Sequence, residues 1–205
     1  MAYVLGFFTA DGSMIKNKRG AHFIEFQITD KDLLFKIRKA LGSNHKITTR
    51  KRGRNWKTIY RLQIGSKKIY NDLIVLGLTE RKSRTINFPY VPNKYLSHFI
   101  RGYFDGDGNV TVSKYRRSDR GGRFFKTILS GFVCGSSNFL KVLHQKLKRV
   151  AKLSGGTFYY HDNGYRLAFS VKDSLVLCNF MYNDMKNDLF LSRKKTKFEK
   201  YFKIR

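Results

Sequence analysis

The sequence predicts an α+β protein made of two pseudo-symmetric units, each with the element order αββαββα. Three observations lead to this prediction. A short apolar segment that ends in Asp-Gly occurs twice, the segments after each copy follow the same order, and strand-like and helix-like apolar periods alternate between them. Such elements favour two four-stranded antiparallel sheets, each backed by helices.

The repeated segment opens each unit. It reads VLGFFTADG at residues 4–12 and IRGYFDGDG at residues 100–108, so that Asp11 and Asp107 stand 96 positions apart. In both copies a glycine precedes an aromatic pair, and Asp-Gly closes the segment. The pattern predicts a short apolar helix at the start of each unit, with one carboxylate at its end.

The first unit continues with alternating strands and helices. Ile24, Phe26 and Ile28 fall on one face of an alternating run, which is typical of a strand. Asp30 stands where an N-cap would begin the next helix. In chain order, the pattern predicts strands at 13–16 and 22–28, a helix at 31–41, a basic hairpin with its turn at 52–55, and a helix at 67–76.

The second unit repeats this order with one basic insertion at 115–123. Asp162-Asn163-Gly164 is typical of a tight hairpin turn. The pattern predicts strands at 110–114 and 126–134, a helix at 138–152, a hairpin around 162–164, and a helix at 174–185. Both prolines of the chain fall in the join at 79–93, where proline favours an extended connection. The expected domains are therefore 1–88 and 89–205.

The charge balance points to a polyanionic partner. Lys and Arg total 42 against 14 Asp and Glu, a net charge of +28. Self-repulsion at this density opposes compaction, so a nucleic acid is the natural partner. A basic solvated surface, as on ribosomal proteins, is the alternative, but 41% hydrophobic and 15% aromatic residues indicate a packed core.

The remaining composition favours an intracellular protein. Cys134 and Cys178 are the two cysteines, and their spacing favours two reduced thiols over a disulfide or a metal site. No apolar run is long enough to span a membrane. Organelle, prokaryotic and phage hosts are left open.

Two such segments, each followed by matching strands, resemble the motifs of single-chain LAGLIDADG homing endonucleases. The resemblance covers nearly the whole chain. It implies that the two motif helices pack side by side at a pseudo-two-fold axis, where Gly6 and Gly102 let the backbones approach. It also implies a metal-dependent endonuclease that hydrolyses one phosphodiester in each DNA strand and leaves short 3′ overhangs.

The resemblance assigns the chemistry to the ends of the motif helices. Asp11 and Asp107 would meet there, and two close carboxylates repel each other unless a cation lies between them. Mg²⁺ is the expected cation, with Mn²⁺ or Ca²⁺ in a non-cleaving complex. By resemblance, the backbone carbonyls of Ala10 and Gly106 would also reach the metals. The alternative, that the aspartates only end a helix, sets a carboxylate against the helix dipole.

Further catalytic candidates follow from the same resemblance. Family enzymes carry one lysine per unit near the scissile phosphates, and Lys82 and Lys194 match, with Lys195 as a rival. Asp30 falls where relatives place a polar residue that organises water, although helix capping explains it equally well. Its counterpart Ser136 is uncharged, and the sixth motif position, Thr9 in one copy and Asp105 in the other, departs from the family pattern.

Alternation of the strand residues predicts a saddle of two basic sheets lying on duplex DNA. Strand ribbons can enter the major groove, where Arg pairs with guanine, Gln with adenine and Glu with cytosine. Base-contacting candidates are Glu25, Gln27, Arg50, Arg52, Lys57, Arg61 and Gln63 in the first unit and Arg123, Thr127, Arg166, Ala168 and Ser170 in the second. Turn residues that would contact phosphates are Lys18, Arg19, Arg116, Arg117 and Arg120.

Unequal faces imply a non-palindromic double-stranded DNA target and a protein that acts as a monomer. Two other functions are open at this point. The chain could be an intron RNA maturase or a non-catalytic DNA-binding protein on the same scaffold. An RNA-binding ribosomal-type protein would leave the repeated Asp-Gly unexplained.

Overall fold

The structure is a computed structural model that describes residues 1–51, 53–80, 84–117, 121–183, 185 and 188–203. Both units have the element order that the sequence predicts. The first consists of α1 (Ala2–Asp11), β1 (Gly12–Lys16), β2 (His22–Ile28), α2 (Lys31–Ala40), β3 (Ile47–Arg50), β4 (Ile59–Gly65) and α3 (Lys67–Val75). The second consists of α4 (Asn93–Asp107), β5 (Gly108–Arg117), β6 (Arg123–Cys134), α5 (Ser137–Lys146), β7 (Thr157–His161), β8 (Gly164–Phe169) and α6 (Val171–Tyr182), followed by α7 (Ser192–Lys203).

Each unit contains one four-stranded antiparallel sheet, which confirms the predicted α+β fold class. The strand orders are β1-β2-β4-β3 and β5-β6-β8-β7. The registers are equivalent, because Phe26 pairs with Leu62 in the first sheet and Phe132 pairs with Leu167 in the second. These four side chains are at most 1% exposed, so one face of each sheet packs on helices and the opposite face is left for a partner.

The first helices of the two units pack directly on each other at Gly6 and Gly102. A Cβ atom at Gly6 would lie 2.0 Å from the carbonyl oxygen of Phe99, and one at Gly102 would lie 2.0 Å from that of Tyr3. Tyr3 and Phe99 are again 96 positions apart, so the contact is symmetric. Any side chain at either glycine would overlap backbone atoms, which explains why glycine occupies both positions.

Several boundaries differ from the prediction. Both ends of the basic insertion are strand, since β5 and β6 stay paired out to Arg117 and Arg123. The helix predicted at 138–152 is two pieces, because a π-helical segment, Leu147–Ala151, follows α5. Helix α6 begins three residues before the predicted helix and also ends three residues before the predicted end. Cross-strand aromatic pairs such as Tyr115 and Phe125 extend the β5–β6 hairpin. The many arginines of this segment hide the strand-like alternation in the sequence.

Two local predictions are confirmed. Asp162 and Asn163 both have positive φ, 53° and 57°, as a two-residue type I′ hairpin requires. Cys134 and Cys178 are reduced and form no disulfide with each other. Within the described part of the chain, no helix has the length and apolar character needed to cross a bilayer.

Candidate functional site

The two motif helices end together, and each places an aspartate at its last residue. Helix α1 ends at Asp11 and α4 at Asp107, and the following glycine N–H groups donate to the carbonyl oxygens of Phe8 and Phe104. A Cβ atom at Gly106 would lie 3.3 Å from Oδ2 of Asp11. The Asp11 carboxylate therefore lies against the last turn of α4, one residue from Asp107.

Both carboxylates act on the same neighbouring groups. Burial lowers the pKa of Lys194 to about 8, and Asp11 and Asp107 are among the carboxylates that oppose this shift. Burial raises the pKa of Tyr103 well above its usual value, and Asp107 and Asp11 add to that shift. The two carboxylates are therefore close together. Asp11 is exposed and Asp107 is half-buried, so both are open to solvent.

The pair fits a hard divalent cation. A Cβ atom at Gly106 would lie 2.4 Å from the Cβ of Ala10, so glycine at this position lets the two helix ends, and with them the two aspartates, come close together. Among the described residues, no group of three or more His, Cys, Asp or Glu side chains is arranged to hold a metal ion, so backbone carbonyls and water would complete the ligands. Two carboxylates, nearby backbone carbonyls and water are a donor set that suits Mg²⁺ or Ca²⁺, which accept oxygen ligands and keep bound water.

The side chain of Lys194, which belongs to α7, reaches the C-terminal end of α4. Its ammonium lies 2.7, 2.8, 3.0 and 2.6 Å from the carbonyl oxygens of Phe104, Asp105, Gly106 and Gly108, and the residue is 6% exposed. A cation at these carbonyls satisfies acceptors that an α-helix leaves unpaired and complements its dipole. The Gly106 carbonyl, a predicted metal ligand, is thus already shared with an ammonium.

The other predicted lysines have different positions. Lys195 is partly exposed and forms an ion pair with Glu199 at 3.1 Å. Lys82 and Arg52 lie outside the described residues. A lysine beside each scissile phosphate therefore stays a prediction, and the structure gives Lys194 a helix-capping contact in addition.

Asp30 and its counterpart Ser136 behave differently from each other. Asp30 precedes α2 but makes no capping bond with its side chain, so that part of the prediction is wrong. Its carboxylate instead pairs with Nε of Arg193 at 3.3 Å, which ties the first unit to α7. Ser136 does cap its helix, since it accepts a hydrogen bond from the N–H of Phe139.

Sequence reasoning missed that Asp105, two residues before Asp107, is a buried acid. Asp105 is 1% exposed and accepts hydrogen bonds from the Tyr3 hydroxyl at 2.7 Å and the Leu191 N–H at 2.8 Å. Burial raises its pKa to about 6, against the lowering effect of these bonds and of Lys194 and Arg101. Its counterpart Thr9 only bonds the carbonyl of Leu5.

Arg101 is a second buried group that the motif pattern did not predict. The side chain is 1% exposed, and its guanidinium donates to the carbonyls of Leu189 and Met181 at 2.9 and 2.8 Å. It also lies over the ring of Tyr3. The sequence did contain one signal: the acid Asp105 in the second motif indicates that the seam, the contact between α1 and α4, is asymmetric.

In the first sheet, the face away from the helices is polar. Glu25 pairs with Gln63 and Gln27 with Arg61 across β2 and β4, and Arg50 is exposed at the edge strand. Lys57 is exposed in the loop before β4. Glu25 differs from the expectation of an exposed side chain, because it is 3% exposed and bound by its neighbours.

The corresponding face of the second sheet is less polar. Arg123, Thr127, Arg166 and Ala168 lie on it by alternation from the buried strand residues. Its central part also carries Leu129, which is 51% exposed. Ser170 comes after β8 and is the residue before α6. The two faces therefore present different chemistry, as the sequence predicts.

The turn residues give a mixed picture. Lys18 and Arg19 are exposed in the β1–β2 turn. Arg116 donates from Nε to the carbonyl of Gly122 at 2.9 Å and so also stabilises its own hairpin. Arg120 and the side chain of Arg117 lie outside the described residues.

Comparisons with known proteins agree with this architecture. A family model of the LAGLIDADG-like domain matches residues 1–73. An uncharacterized protein of Methanocaldococcus jannaschii is 24% identical over 185 residues, which are 85% of this chain and 63% of that protein. The DNA-directed RNA polymerase subunit Rpo1C of the same organism is 29% identical over 116 residues, 55% of this chain and 13% of the subunit. The chain thus spans less than two thirds of the length of either relative.

Solved structures match the whole fold. The I-LtrWI LAGLIDADG homing endonuclease bound to target DNA has a TM-score of 0.64 at 12% identity, with 98% of this chain and 87% of that chain covered. I-SmaMI bound to an uncleaved DNA target in the presence of calcium ions has a TM-score of 0.63 at 13% identity, with 98% and 89% covered. The chain accordingly carries a LAGLIDADG-like domain at residues 1–73 and has, over nearly its whole length, the fold of two-domain LAGLIDADG homing endonucleases.

Proposed function

We propose that this chain is a site-specific, metal-dependent endonuclease that makes a double-strand break in a long, non-palindromic DNA target. It hydrolyses one phosphodiester in each strand, acts as a monomer and leaves short 3′ overhangs. The net charge of +28 and the solved DNA complexes of proteins with this fold support duplex DNA as the substrate.

One observation carries the catalytic part of the proposal. The last residues of α1 and α4 bring Asp11 against Gly106, next to Asp107, although both carboxylates are unfavourable at the negative end of a helix dipole. The Lys194 ammonium offsets part of that cost at the end of α4, and a cation held by both carboxylates would offset it at both helix ends. The same pair therefore serves as the candidate centre for both strands.

The protein groups have defined tasks in this mechanism. Asp11 and Asp107 would hold divalent cations, with the carbonyl of Ala10 and the shared carbonyl of Gly106 as further oxygen donors. Such ions orient a water, polarise the scissile phosphate and stabilise the leaving oxygen. The two sheets bind the flanking DNA, and the glycine contact between α1 and α4 fixes the distance between the two carboxylates.

The catalytic test is loss of one carboxylate at a time. The wild type is incubated with a randomised duplex library and Mg²⁺, and the cleaved duplexes are sequenced to define a target. We expect Asp11→Asn and Asp107→Asn to abolish double-strand cleavage of that target and to retain binding in Ca²⁺. The matched control is Asp72→Asn, an equal charge change at an exposed position of α3. Full cleavage by either motif variant would refute the assignment.

An RNA maturase is the second candidate, and one observation favours it. Lys141, Lys148 and Arg149 are exposed on α5 and the π-helical segment after it, on the helical side of the second sheet, away from the proposed DNA face. A basic surface there could bind a second polyanion. Splicing of the host intron RNA with and without the protein, and with these three residues changed to Glu, tests this candidate.

A further inference from the structure

Glu25 lies in the middle of β2 on the face that the helices leave open, yet it is only 3% exposed. The sheet register explains how it is covered. Glu25 lies opposite Gln63 on β4, and Gln27 lies opposite Arg61. Glu25 and Arg61 are thus diagonal neighbours on one face, a distance that long side chains bridge.

The carboxylate of Glu25 is held by three of its neighbours. Oε1 accepts a hydrogen bond from Nε2 of Gln27 at 2.5 Å. Oε2 accepts bonds from Nε of Arg61 at 2.5 Å and from Nε2 of Gln63 at 3.2 Å, and Nη2 of Arg61 forms an ion pair with the same oxygen. With both oxygens occupied and covered, this carboxylate is poorly placed to accept a hydrogen bond from cytosine.

We propose that Glu25 is a positioning residue, which sets the specificity of the first half-site by holding Arg61, Gln27 and Gln63 in one arrangement. The proposal rests on the proposed DNA-binding function. A guanidinium has five N–H donors, and Arg61 directs Nε and Nη2 to Glu25 while its side chain stays 42% exposed. The remaining N–H groups suit the O6 and N7 acceptors of guanine.

The two glutamines are oriented by the same acid. Each directs its amide nitrogen to Glu25, so each side-chain carbonyl oxygen is directed elsewhere and is left as an acceptor. Side chains that are already ordered lose less conformational entropy on binding. A single buried carboxylate thereby fixes three base-reading groups that are flexible on an ordinary strand surface.

The second unit provides an internal comparison. By register, Gly131 takes the place of Glu25 and Arg166 that of Arg61, with Val133 opposite Arg166. Arg166 forms a long ion pair with Asp162 at 4.0 Å, and its buried Nε has no hydrogen-bond partner among the described residues. The acid-held arginine is therefore a property of the first unit, and Arg166 is a matched control for Arg61.

The test compares selectivity with general affinity. A preferred duplex is first selected from a randomised library with the wild type in Ca²⁺. Binding of the wild type, Glu25→Gln, Arg61→Ala, the double variant and Arg166→Ala is then measured on every single-base-pair change of that duplex and on an unrelated duplex. Thermal unfolding checks that each variant is folded, and Glu25→Asp serves as a second variant that keeps the charge but shortens its reach.

We expect Glu25→Gln to reduce discrimination about tenfold or more, as for the loss of one bidentate base contact, at a few adjacent base pairs of one half-site. Arg61→Ala should affect the same base pairs, the double variant should add little, and Arg166→Ala should affect the other half-site. Affinity of Glu25→Gln for the unrelated duplex should hold or rise, because the variant removes a negative charge from the DNA face. A purely structural role would lower stability without this split.

The contrary outcomes are distinct. If Glu25→Gln changes base pairs that Arg61→Ala leaves untouched, Glu25 reads a base directly and the proposal is wrong. Unchanged discrimination, or an equal loss on every duplex, also overturns it. A wild type that selects no duplex at all would refute the DNA-binding function itself, and with it this proposal.

Discussion

A lysine that lies among four carbonyl oxygens joins the end of α4, beside the candidate metal ligands, to α7. Lys194 comes from α7, and its acceptors lie at the end of α4. Removing the ammonium would take one donor away from four carbonyl oxygens in a largely buried site, which costs more than losing an exposed ion pair. Capping and chemistry are thus both candidate roles of one side chain.

We expect Lys194→Met to lower the free energy of unfolding by about 2–3 kcal/mol, as for the loss of a hydrogen-bonded buried charge. The control Lys195→Met removes a partly exposed cation and should change stability by less than about 1 kcal/mol. Urea unfolding measures both. Equal stability of the two variants would contradict the capping role.

Asp105 gives the molecule a pH dependence that Thr9 does not. Its pKa is raised from 3.8 to about 6 in the folded state, so the native protein binds more protons than the unfolded chain between these values. This residue therefore contributes stability at low pH that is lost as pH rises from about 4 to 6. We expect Asp105→Asn to become more stable relative to wild type over that interval. Unfolding measured from pH 4 to 7 with a chelator present tests it, and a constant difference would contradict it.

At the scale of elements, the close contact of α1 and α4 is the most constrained feature. Gly6 and Gly102 each face backbone atoms of the opposite helix, which cannot move aside as a side-chain tip can. This contact could be predicted because the two segments resemble the LAGLIDADG motif, a resemblance that implies side-by-side packing of the two helices. The sheets were predictable for a different reason, since their apolar residues alternate.

We expect Gly6→Ala or Gly102→Ala to destabilise the protein by about 3 kcal/mol, the upper range for an overpacked site, and to separate the two aspartates. Gly65→Ala is the control, because a Cβ there lies 3.4 Å from the ring of Phe23, an ordinary contact. Thermal unfolding and Mg²⁺-dependent cleavage are the measurements. Wild-type stability of both seam variants would show that the helices do not approach this closely.

Other elements were not predictable from local pattern. Helix α7 is largely basic, and in the folded protein only two of its residues, Lys194 and Phe198, are buried. A local pattern with so few apolar positions does not predict where the helix packs. The contacts of Lys194 join residues 86 to 90 positions apart, and those of Glu25 with Arg61 and Gln63 depend on strand register. Periodicity detects which face a residue takes, but it does not reveal which distant groups will meet there.

At the scale of the whole molecule, two unlike halves share one chain of 24.0 kDa. In the first sheet, Glu25 holds Arg61 and two glutamines. The second sheet exposes Leu129 and has Gly131 and Val133 in place of Glu25 and Gln27. Such divergence is possible because the two units are linked in one chain. The two subunits of a homodimer, in contrast, share one sequence and must have identical faces.

We expect the selected DNA target to have two unrelated half-sites, and the cleavage rate to rise in direct proportion to protein concentration. Sedimentation of the DNA complex should give one protein chain per duplex. A palindromic consensus, or a rate that rises with the square of the protein concentration, would contradict a monomer.

The hydrogen bond from Tyr3 to Asp105 has a consequence for engineering. Position 99, the counterpart of Tyr3, is a phenylalanine, which has no hydroxyl to donate. A symmetric protein assembled from two copies of the second unit would therefore bury Asp105 without that partner, whereas two copies of the first unit would contain no such acid. The halves are not interchangeable parts: only the first is suited to being duplicated, and a chimera that takes the second must also take a tyrosine opposite it.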